Sequence, residues 1–555
     1  MKSGGRMKNH FLSSLSCALF LALIGANPRI APAADVTINW NDTRQEITGF
    51  GAGWENELGA FAMALPQAVR TQMMTMLFDS VQGIGLTYVR THMPPDLLDA
   101  SGTWNWNSTS GRIAGKAMDQ VTLMQESQKA GATKFWAAPW AAVPMYKANA
   151  VYGGGGPILR SHYQDYANYM SRFIREYKTR FGIPFMGISV QNEPQFDPTY
   201  GGCPWTGADI RDYIRDYLYP TLKRDSVNIS IIAAESNWSE TQYIFPTVDD
   251  PNALKCLDIV AFHNYIGSTP FNYAKAINAG KQIWMSEISK SGRDDGYGAA
   301  GNYANQIWQN MTIGETSSWQ YWWFYDGFKD NSGFIGPYEN NQLVIKRLYW
   351  WIGHYSKFVR PGYRRITTTP SSTRAAGGGN VGISAYKYPS TGRFAIVVNN
   401  PDAGKPATSN TYHFNGVAPA SVTPYLSTGE NANQNMVKQA DIPVVNGAFT
   451  YTVPNVSIAT FVGQGTPVAV EDRPAIQRSR TLASAVQIPG GIRLRMQSPA
   501  AARAMLVDPA GKIVQYWTIK AVSAQVLPIP SLATGRVYLL RLTYANRSEN
   551  VMLFN

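Results

Sequence analysis

The 555-residue chain contains little cysteine, histidine or charge. Three cysteines are too few for a disulfide-stabilised scaffold. The six histidines form no group with the spacing of metal ligands, so we expect neither a metal nor another cofactor. Only 15% of the residues are charged, yet beyond residue 33 no apolar run approaches the ~18 residues of a membrane-spanning helix. We therefore expect a mature protein without a transmembrane segment.

The net charge of +12 is concentrated at the two ends of the chain. Residues 1–33 contribute +4, and residues 471–555 contribute +7 from eleven Lys and Arg against four acidic residues. The main body, residues 34–470, therefore carries only +1. Because a nucleic acid site requires a basic patch, we expect no nucleic acid partner for this body. Aromatic residues make up 12% of the chain, which suits weakly charged ligands such as sugar rings.

The first 33 residues have the pattern of a secretory signal peptide. Basic residues precede an apolar run from Phe11 to Ala26, and Ala31-Pro32-Ala33 offers a cleavage site of small residues. Cys17 lies inside the apolar run, which leaves a lipoprotein anchor as an alternative. We expect a secreted protein that is extracellular or attached to the cell surface.

Residues 49–352 alternate short apolar segments with amphipathic stretches such as Tyr163–Phe181. Eight segments are predicted as strands: Gly49–Ala52, Leu86–Thr91, Lys134–Ala138, Met186–Gln191, Ile229–Glu235, Ile259–Asn264, Gln282–Glu287 and Ser318–Trp323. Eight strands alternating with helices predict a parallel (β/α)₈ TIM barrel. An open doubly wound sheet is the alternative, but no Gly-x-Gly-x-x-Gly turn follows an early strand.

The rest of the mature chain is predicted to form β domains. Residues 353–465 combine turn-forming residues with short alternating strands, which predicts an antiparallel β-sandwich beside the barrel. The segment 34–48 supplies a further strand to it, and residues 466–479 are interpreted as a linker. Residues 480–555 predict a small C-terminal β-sandwich, with Asp508-Pro509-Ala510-Gly511-Lys512 as a hairpin turn.

Two glutamates stand at strand ends of the predicted barrel, where such folds carry their active sites. Glu193 follows the fourth strand in Asn192-Glu193-Pro194, and Glu287 ends the seventh strand. Hydrolysis of a glycosidic bond needs one carboxylic acid to protonate the leaving oxygen and one carboxylate to meet the charge at the anomeric carbon. This pair therefore predicts a glycosidase, and the alternative for either glutamate alone is a charge on a surface loop.

Over residues 36–465 the sequence resembles glycoside hydrolase family 30, whose superfamily carries both catalytic glutamates on strands four and seven. The resemblance rests on Ile188–Pro194, Trp284–Glu287 and Ser356–Tyr363 (Ser-Lys-Phe-Val-Arg-Pro-Gly-Tyr). The last segment and Ile383–Lys387 look like the bacterial xylanase branch. The resemblance therefore implies a barrel with a side sandwich in a bacterial enzyme.

The resemblance also implies a role for each matching residue. Glu193 corresponds to the general acid/base and Glu287 to the nucleophile. The substrate-binding set corresponds to Asn192, Trp140, Tyr265, His263, Arg90 and Trp323. Within it, Asn192 is expected to hold the sugar 2-hydroxyl, Tyr265 to orient the nucleophile and keep it ionised, and Arg90 to lower the pKa of Glu287. Trp140 is expected to stack on a sugar ring, and its alternative is a core position.

One departure from the family concerns an arginine. Members that require glucuronic acid side groups carry an Arg soon after the Trp-Trp of strand eight. Here Trp322-Trp323 is followed by no Arg until Arg347. The sequence therefore predicts a xylanase that does not strictly depend on glucuronic acid.

Two further expectations concern the cysteines and the C-terminal domain. Cys203 lies in the loop above strand four and Cys256 precedes strand six at the opposite face, so both are expected to be free thiols. The C-terminal domain is similar to sorting domains of secreted Gram-negative proteins. Its expected partners are the secretion machinery, the cell envelope or a polysaccharide.

Taken together, these features predict a secreted retaining endo-β-glycosidase that hydrolyses xylan. One alternative is the same chemistry on another β-glycan, such as β-1,6-glucan or galactan. A second alternative is a non-catalytic carbohydrate-binding protein.

Overall fold

The computed structural model divides the chain into two compact units, Met1–Val468 and Ala469–Asn555. The predicted signal peptide, most of the linker and the Asp508–Lys512 turn lie outside the described residues. The structure describes residues 34–54, 56–98, 103–106, 117–154, 156–199, 201–265, 273–289, 297–327, 332–374, 380–401, 407–429 and 434–467, together with seven strands between 483 and 554.

The first unit contains a closed barrel of eight parallel strands. After β1 (Ala34–Glu46), which belongs to the side domain, the barrel strands are β2 (Gly49–Trp54), β3 (Tyr88–His92), β4 (Lys134–Ala138), β5 (Phe185–Ser189), β6 (Ser230–Asn237), β7 (Ile259–His263), β8 (Gln282–Glu287) and β9 (Ser318–Tyr325). Each pairs in parallel with the next, and β9 also pairs with β2, which closes the ring. The predicted TIM barrel is confirmed.

A hairpin that the sequence analysis did not predict extends the barrel sheet beyond its eighth strand. It consists of β10 (Gly333–Glu339) and β11 (Gln342–Ile345), and β10 pairs in parallel with β9. Its turn residues, Asn340 and Asn341, both have positive φ, which the asparagine side chain tolerates better than most.

Helices cover the outside of the barrel. They are α1 (Asn56–Met63), α2 (Gln67–Phe78), α3 (Ala117–Ala130), α4 (Tyr163–Phe181), α5 (Gly207–Tyr213), α6 (Tyr219–Arg224), α7 (Phe245–Asp249), α8 (Pro251–Cys256), α9 (Ala274–Asn278), α10 (Tyr297–Thr312) and α11 (Arg347–Ser356). The π-helical turn Ile214–Leu218 joins α5 to α6. Helix α4 has the predicted bounds and ends at Gly182, whose φ of 71° is the left-handed conformation that favours glycine. None of the helices in the described ranges has the length and hydropathy needed to span a bilayer.

Large aromatic side chains fill the interior of the barrel. The rings of Tyr88 and Trp136 pack edge-on against Trp284, with centroids 4.9 and 5.8 Å away. Trp136 donates its indole N–H to Gln320 at 2.8 Å, so the one polar atom of this buried ring is satisfied. These rings form a rigid floor beneath the carboxyl ends of the strands.

The side domain is a twelve-stranded, mostly antiparallel β assembly that includes β1. Its remaining strands are β12 (Arg364–Thr369), β13 (Ser372–Arg374), β14 (Asn380–Lys387), β15 (Arg393–Asn400), β16 (Thr408–Asn415), β17 (Val417–Pro419), β18 (Ser421–Thr428), β19 (Val437–Lys438), β20 (Ile442–Pro443), β21 (Ala448–Val453) and β22 (Ser457–Pro467). Strand β1 lies antiparallel to β12 and parallel to β16. The N-terminal segment is therefore part of the side domain.

The side domain is fixed to the barrel through α11. His354 on this helix is fully buried, and its ring nitrogens hydrogen-bond with Thr460 at 2.8 Å and Ser427 at 2.9 Å. Burial lowers the pKa of His354 to about 3, so this histidine is neutral at physiological pH. The barrel and the side domain thus share a buried polar contact.

The second unit contains two antiparallel sheets. One consists of β23 (Ala483–Ile488), β24 (Gly491–Met496) and β27 (Ala524–Pro528), and the other of β25 (Ala502–Val507), β26 (Ile513–Ile519), β28 (Val537–Tyr544) and β29 (Arg547–Phe554). Buried Ile492, Leu506 and Leu540 come from both sheets. This is the predicted small β domain. The two described cysteines, Cys203 and Cys256, are free thiols.

Candidate active site

Glu193 lies where the chain leaves β5, and its backbone is held by both neighbouring strand ends. Its amide donates to the carbonyl of Glu235 at 3.2 Å, while the amide of Asn192 donates to Pro139 at 2.9 Å. Glu193 has a φ of 46°, the left-handed region that non-glycine residues seldom occupy. Such backbone persists only where its surroundings hold it in place, and it clusters at functional sites.

Glu287 ends β8, and its carboxylate is buried between two donors. Arg90 Nη1 donates to Oε2, and the Tyr265 hydroxyl donates to Oε1 at 2.8 Å. One carboxylate oxygen of Glu287 lies within 4.8 Å of one of Glu193. The side chain of Glu193 is 19% exposed and that of Glu287 only 1%, so Glu193 is the more accessible of the pair.

Arg90, on β3, connects three side chains of the site. Besides Glu287, its guanidinium contacts Asn192 Oδ1 at 2.6 Å and Glu235 Oε2 at 2.8 Å. Its charge lies over the ring of Trp140 at 4.5 Å. Because the carboxamide oxygen of Asn192 accepts from Arg90, the amide nitrogen is oriented as a donor, as the expected contact with a sugar hydroxyl requires.

His263, at the end of β7, is fully buried among three carboxylates. Its Nδ1 lies 3.3 Å from Glu193 Oε1, and its Nε2 lies 3.6 Å from Glu235 and 3.7 Å from Glu287. Burial lowers the pKa of His263, but the charges of Glu287, Glu193 and Glu235 outweigh it and raise the pKa to about 9. His263 is therefore protonated at neutral pH.

Arg90 and His263, which the sequence analysis grouped with the substrate-binding residues, are buried. They are 1% and 0% exposed, and both contact carboxylates. Arg90 does favour the ionised form of Glu287, yet burial outweighs Arg90 and His263 and raises the pKa of Glu287 above its ordinary value. The expected contact is present and Arg90 acts in the predicted direction, but burial decides the sign of the net shift.

Tyr265 contributes a neutral donor to Glu287. Desolvation, followed by the neighbouring charge of Glu287, raises the pKa of Tyr265 well above its usual value. The residue is 40% exposed and lies at the rim of the site. Tyr265 therefore donates to the carboxylate from the rim while keeping its proton.

Trp140, Trp322 and Trp323 form an aromatic wall beside the two glutamates. Trp140 lies edge-on to Trp322 with ring centroids 6.2 Å apart, and Trp322 and Trp323 are 5.2 Å apart. All three are half-buried. The indole nitrogen of Trp323 is buried and has no hydrogen-bond partner among the described residues. Partly exposed rings of this kind suit the apolar face of a sugar.

Folding also brings together a group that spacing along the chain did not reveal. Glu193, His263 and Glu287 each offer one potential metal-ligand atom, and these atoms lie within 4.8 Å of one another. A histidine must be neutral to bind a metal, whereas the surrounding carboxylates keep His263 protonated. The charges here favour a hydrogen-bonded ion cluster over a metal site.

Glu235, on β6, was not singled out from the sequence although it ends the predicted strand Ile229–Glu235. It is fully buried and ion-paired with Arg90. Examining every acid at a strand end of the barrel, and not only the pair on strands four and seven, would have found it.

Comparisons with known proteins agree with this geometry. Residues 47–276 match the model of the glycosyl hydrolase family 30 TIM-barrel domain. Residues 47–276 therefore correspond to a family 30 TIM-barrel domain. The resemblance predicted from the sequence is thus confirmed. The match also supports the activity of a glycoside hydrolase.

Three similar proteins place this family 30 domain among its relatives. Glucuronoxylanase XynC of Bacillus subtilis is 26% identical over 466 residues, covering 81% of this chain and 96% of the relative. The endo-1,6-beta-D-glucanase of Neurospora crassa is 20% identical over 388 residues, covering 64% and 79%. The crystal structure of the family 30 subfamily 8 xylanase Xyn30A from Clostridium acetobutylicum has a TM-score of 0.63 at 27% identity, covering 78% of this chain and 99% of that chain.

Proposed function

We propose that the protein is a retaining endo-β-glycosidase that hydrolyses xylan by double displacement. The observation that carries the mechanism is the close approach of Glu193 and Glu287, whose carboxylate oxygens come within 4.8 Å. Retaining glycosidases hold their carboxyl groups about 5–5.5 Å apart, whereas inverting enzymes leave ~6.5–9.5 Å for a water molecule.

In the first step Glu287 attacks the anomeric carbon. The glycosidic C–O bond breaks, its electron pair goes to the leaving oxygen, and that oxygen takes the proton of Glu193. In the second step the Glu193 carboxylate removes a proton from water, the water oxygen attacks the anomeric carbon, and the bond to Glu287 breaks. The contacts support these roles, because Glu287 lies between the Arg90 and Tyr265 donors while Glu193 is more accessible.

Xylan is the proposed polymer because two similar proteins are named glucuronoxylanase and xylanase. The similarity to an endo-1,6-beta-D-glucanase supports β-1,6-glucan as the second candidate. Product analysis on a panel of xylans, glucans and galactans separates the two candidates. Release of xylo-oligosaccharides supports the proposal, and turnover of β-1,6-glucan alone contradicts it.

Removal of glucuronic acid from xylan is expected to change kcat/KM by less than about tenfold. A charged hydrogen bond is worth about 1.5–3 kcal/mol, so an enzyme that used one would lose about 10- to 150-fold. A lysine after Trp322-Trp323 could supply the positive charge instead of an arginine. Of the lysines there, Lys346 is buried in an ion pair with Asp326, and Lys329 lies outside the described residues. The measurement compares glucuronoxylan with linear xylan, and strict dependence on the acidic branch would contradict the expectation.

The proposal includes secretion through the predicted signal peptide, residues 1–33, and attachment or sorting through the basic C-terminal domain. Its support is the sequence pattern of the leader and the +7 charge of residues 471–555. N-terminal sequencing of the exported protein is expected to begin at Ala34. A mature chain that retains Met1 would contradict it.

A further inference from the structure

Glu235 is a third carboxylate in the active site, and the local backbone turns it inward. It lies in β6, where the pairing with β7 shifts by one residue between Ala234 and Ser236. Its φ of 55° is in the left-handed region, and its side chain is fully buried. A bulge of this kind re-aims a side chain, and it is typical of strands beside active sites.

The contacts of Glu235 reach both proposed catalytic glutamates through shared partners. Its Oε2 accepts from Arg90 at 2.8 Å, and the other arm of Arg90 contacts Glu287. The same oxygen lies 3.6 Å from His263 Nε2, and Nδ1 of that ring lies 3.3 Å from Glu193. In addition, the carbonyl of Glu235 accepts the amide of Glu193.

The charges explain why a third carboxylate is required. Arg90 and protonated His263 bring two positive charges into a buried site. When Glu193 holds the proton that it donates, Glu287 supplies only one negative charge. Buried charges are costly unless they are balanced, and Glu235 supplies the second negative charge. Burial opposes ionisation of Glu235, but Arg90 and His263 outweigh it and lower the pKa of Glu235.

We propose that Glu235 is a positioning residue that holds Arg90 and His263 in place. These two residues then orient Glu287 for its attack on the anomeric carbon and keep Glu193 in position beside it. This role rests on the proposed double displacement by Glu193 and Glu287. Glu235 acts through its two cationic partners and does not touch the substrate. It is therefore distinct from both the nucleophile and the acid/base.

The test compares Glu235→Gln with Glu126→Gln. The control removes the ion pair of 2.7 Å between Arg70 and Glu126, which joins the outer helices α2 and α3. Glu235→Gln is expected to lower kcat about 10- to 100-fold with little change in KM, because misplaced reacting groups lose rate more than binding. Glu126→Gln is expected to keep the wild-type kcat.

The pH profile separates positioning from a merely structural role. The charged groups that contact Glu235 are Arg90 and His263, and both of these also lie beside Glu287. Removing one negative charge lowers the pKa of His263 and of Glu287, so the profile of kcat/KM is expected to move to lower pH. A folded Glu235→Gln enzyme with wild-type kcat and an unmoved profile overturns the proposal.

Two further measurements keep the outcome decisive. If Glu235→Gln does not fold, Glu235→Asp keeps the charge but shortens its reach. A reduced kcat with an unmoved profile then supports positioning, and a wild-type kcat overturns it.

If the wild-type protein cleaves no β-glycan, the proposed function fails, but the NMR titration of His263 still reports on Glu235. Its pKa is expected to fall in Glu235→Gln, and an unchanged pKa overturns the positioning role.

Discussion

Glu287→Gln is expected to reduce hydrolysis of every glycoside substrate by more than about 10⁴-fold. The amide is a poor nucleophile, so no covalent glycosyl-enzyme forms, and a better leaving group does not compensate. The melting temperature reports whether the variant remains folded, because Glu287 also balances part of the buried positive charge of Arg90 and His263.

The measurement is kcat/KM on a polymer and on an aryl glycoside, together with the melting temperature. Glu126→Gln, which removes an ion pair between two outer helices, serves as the control and should keep full activity. Activity of Glu287→Gln within about tenfold of wild type, on either substrate, would show that another residue is the nucleophile.

Glu193→Gln is expected to give losses that depend on the leaving group. On a polymer, where the departing sugar oxygen needs a proton, the rate should fall by about 10²–10⁴-fold. On a dinitrophenyl glycoside the first step needs little protonation, so the release of dinitrophenolate in the initial burst should stay close to wild type. The following hydrolysis slows, because Glu193 no longer activates water.

Pre-steady-state release of dinitrophenolate measures the first step alone, and polymer assays measure the complete reaction. Azide, which needs no general base, is expected to accelerate turnover of the Glu193 variant. Equal losses on both substrates, with no effect of azide, would show that Glu193 is not the general acid/base.

The fold was accessible from the sequence because the barrel strands are buried on both faces and the helices are amphipathic. The bounds of β4, β8 and α4 were predicted as the structure has them. Strand β5 ends two residues before the predicted Gln191, because the chain there leaves the strand to hold Asn192 and Glu193 against neighbouring carbonyls. The hairpin β10–β11 was missed because its short strands carry no strong alternation.

The site was accessible only in part. Parallel strands of one barrel place their carboxyl ends together, so the strand pattern alone assigns Glu193 and Glu287 to one opening. Arg90 followed only from the resemblance to the family. The raised pKa of Glu287 could not be predicted, because its sign depends on how burial compares with Arg90 and His263. The inward orientation of Glu235 could not be predicted either. It follows from a bulge and a left-handed backbone conformation that the local sequence does not specify.

The most direct test of the account is to trap the covalent intermediate. A dinitrophenyl 2-deoxy-2-fluoro-β-xylobioside forms the glycosyl-enzyme faster than water removes it, because fluorine at C2 destabilises the charged transition state of both steps while the good leaving group speeds the first. Mass spectrometry of the digested protein is expected to find one fluorinated disaccharide per chain, bound to Glu287 in the peptide that contains Trp284-Met285-Ser286-Glu287. A label on Glu193, or xylan cleavage by an enzyme that consumes the reagent without acquiring a label, would contradict the proposed mechanism.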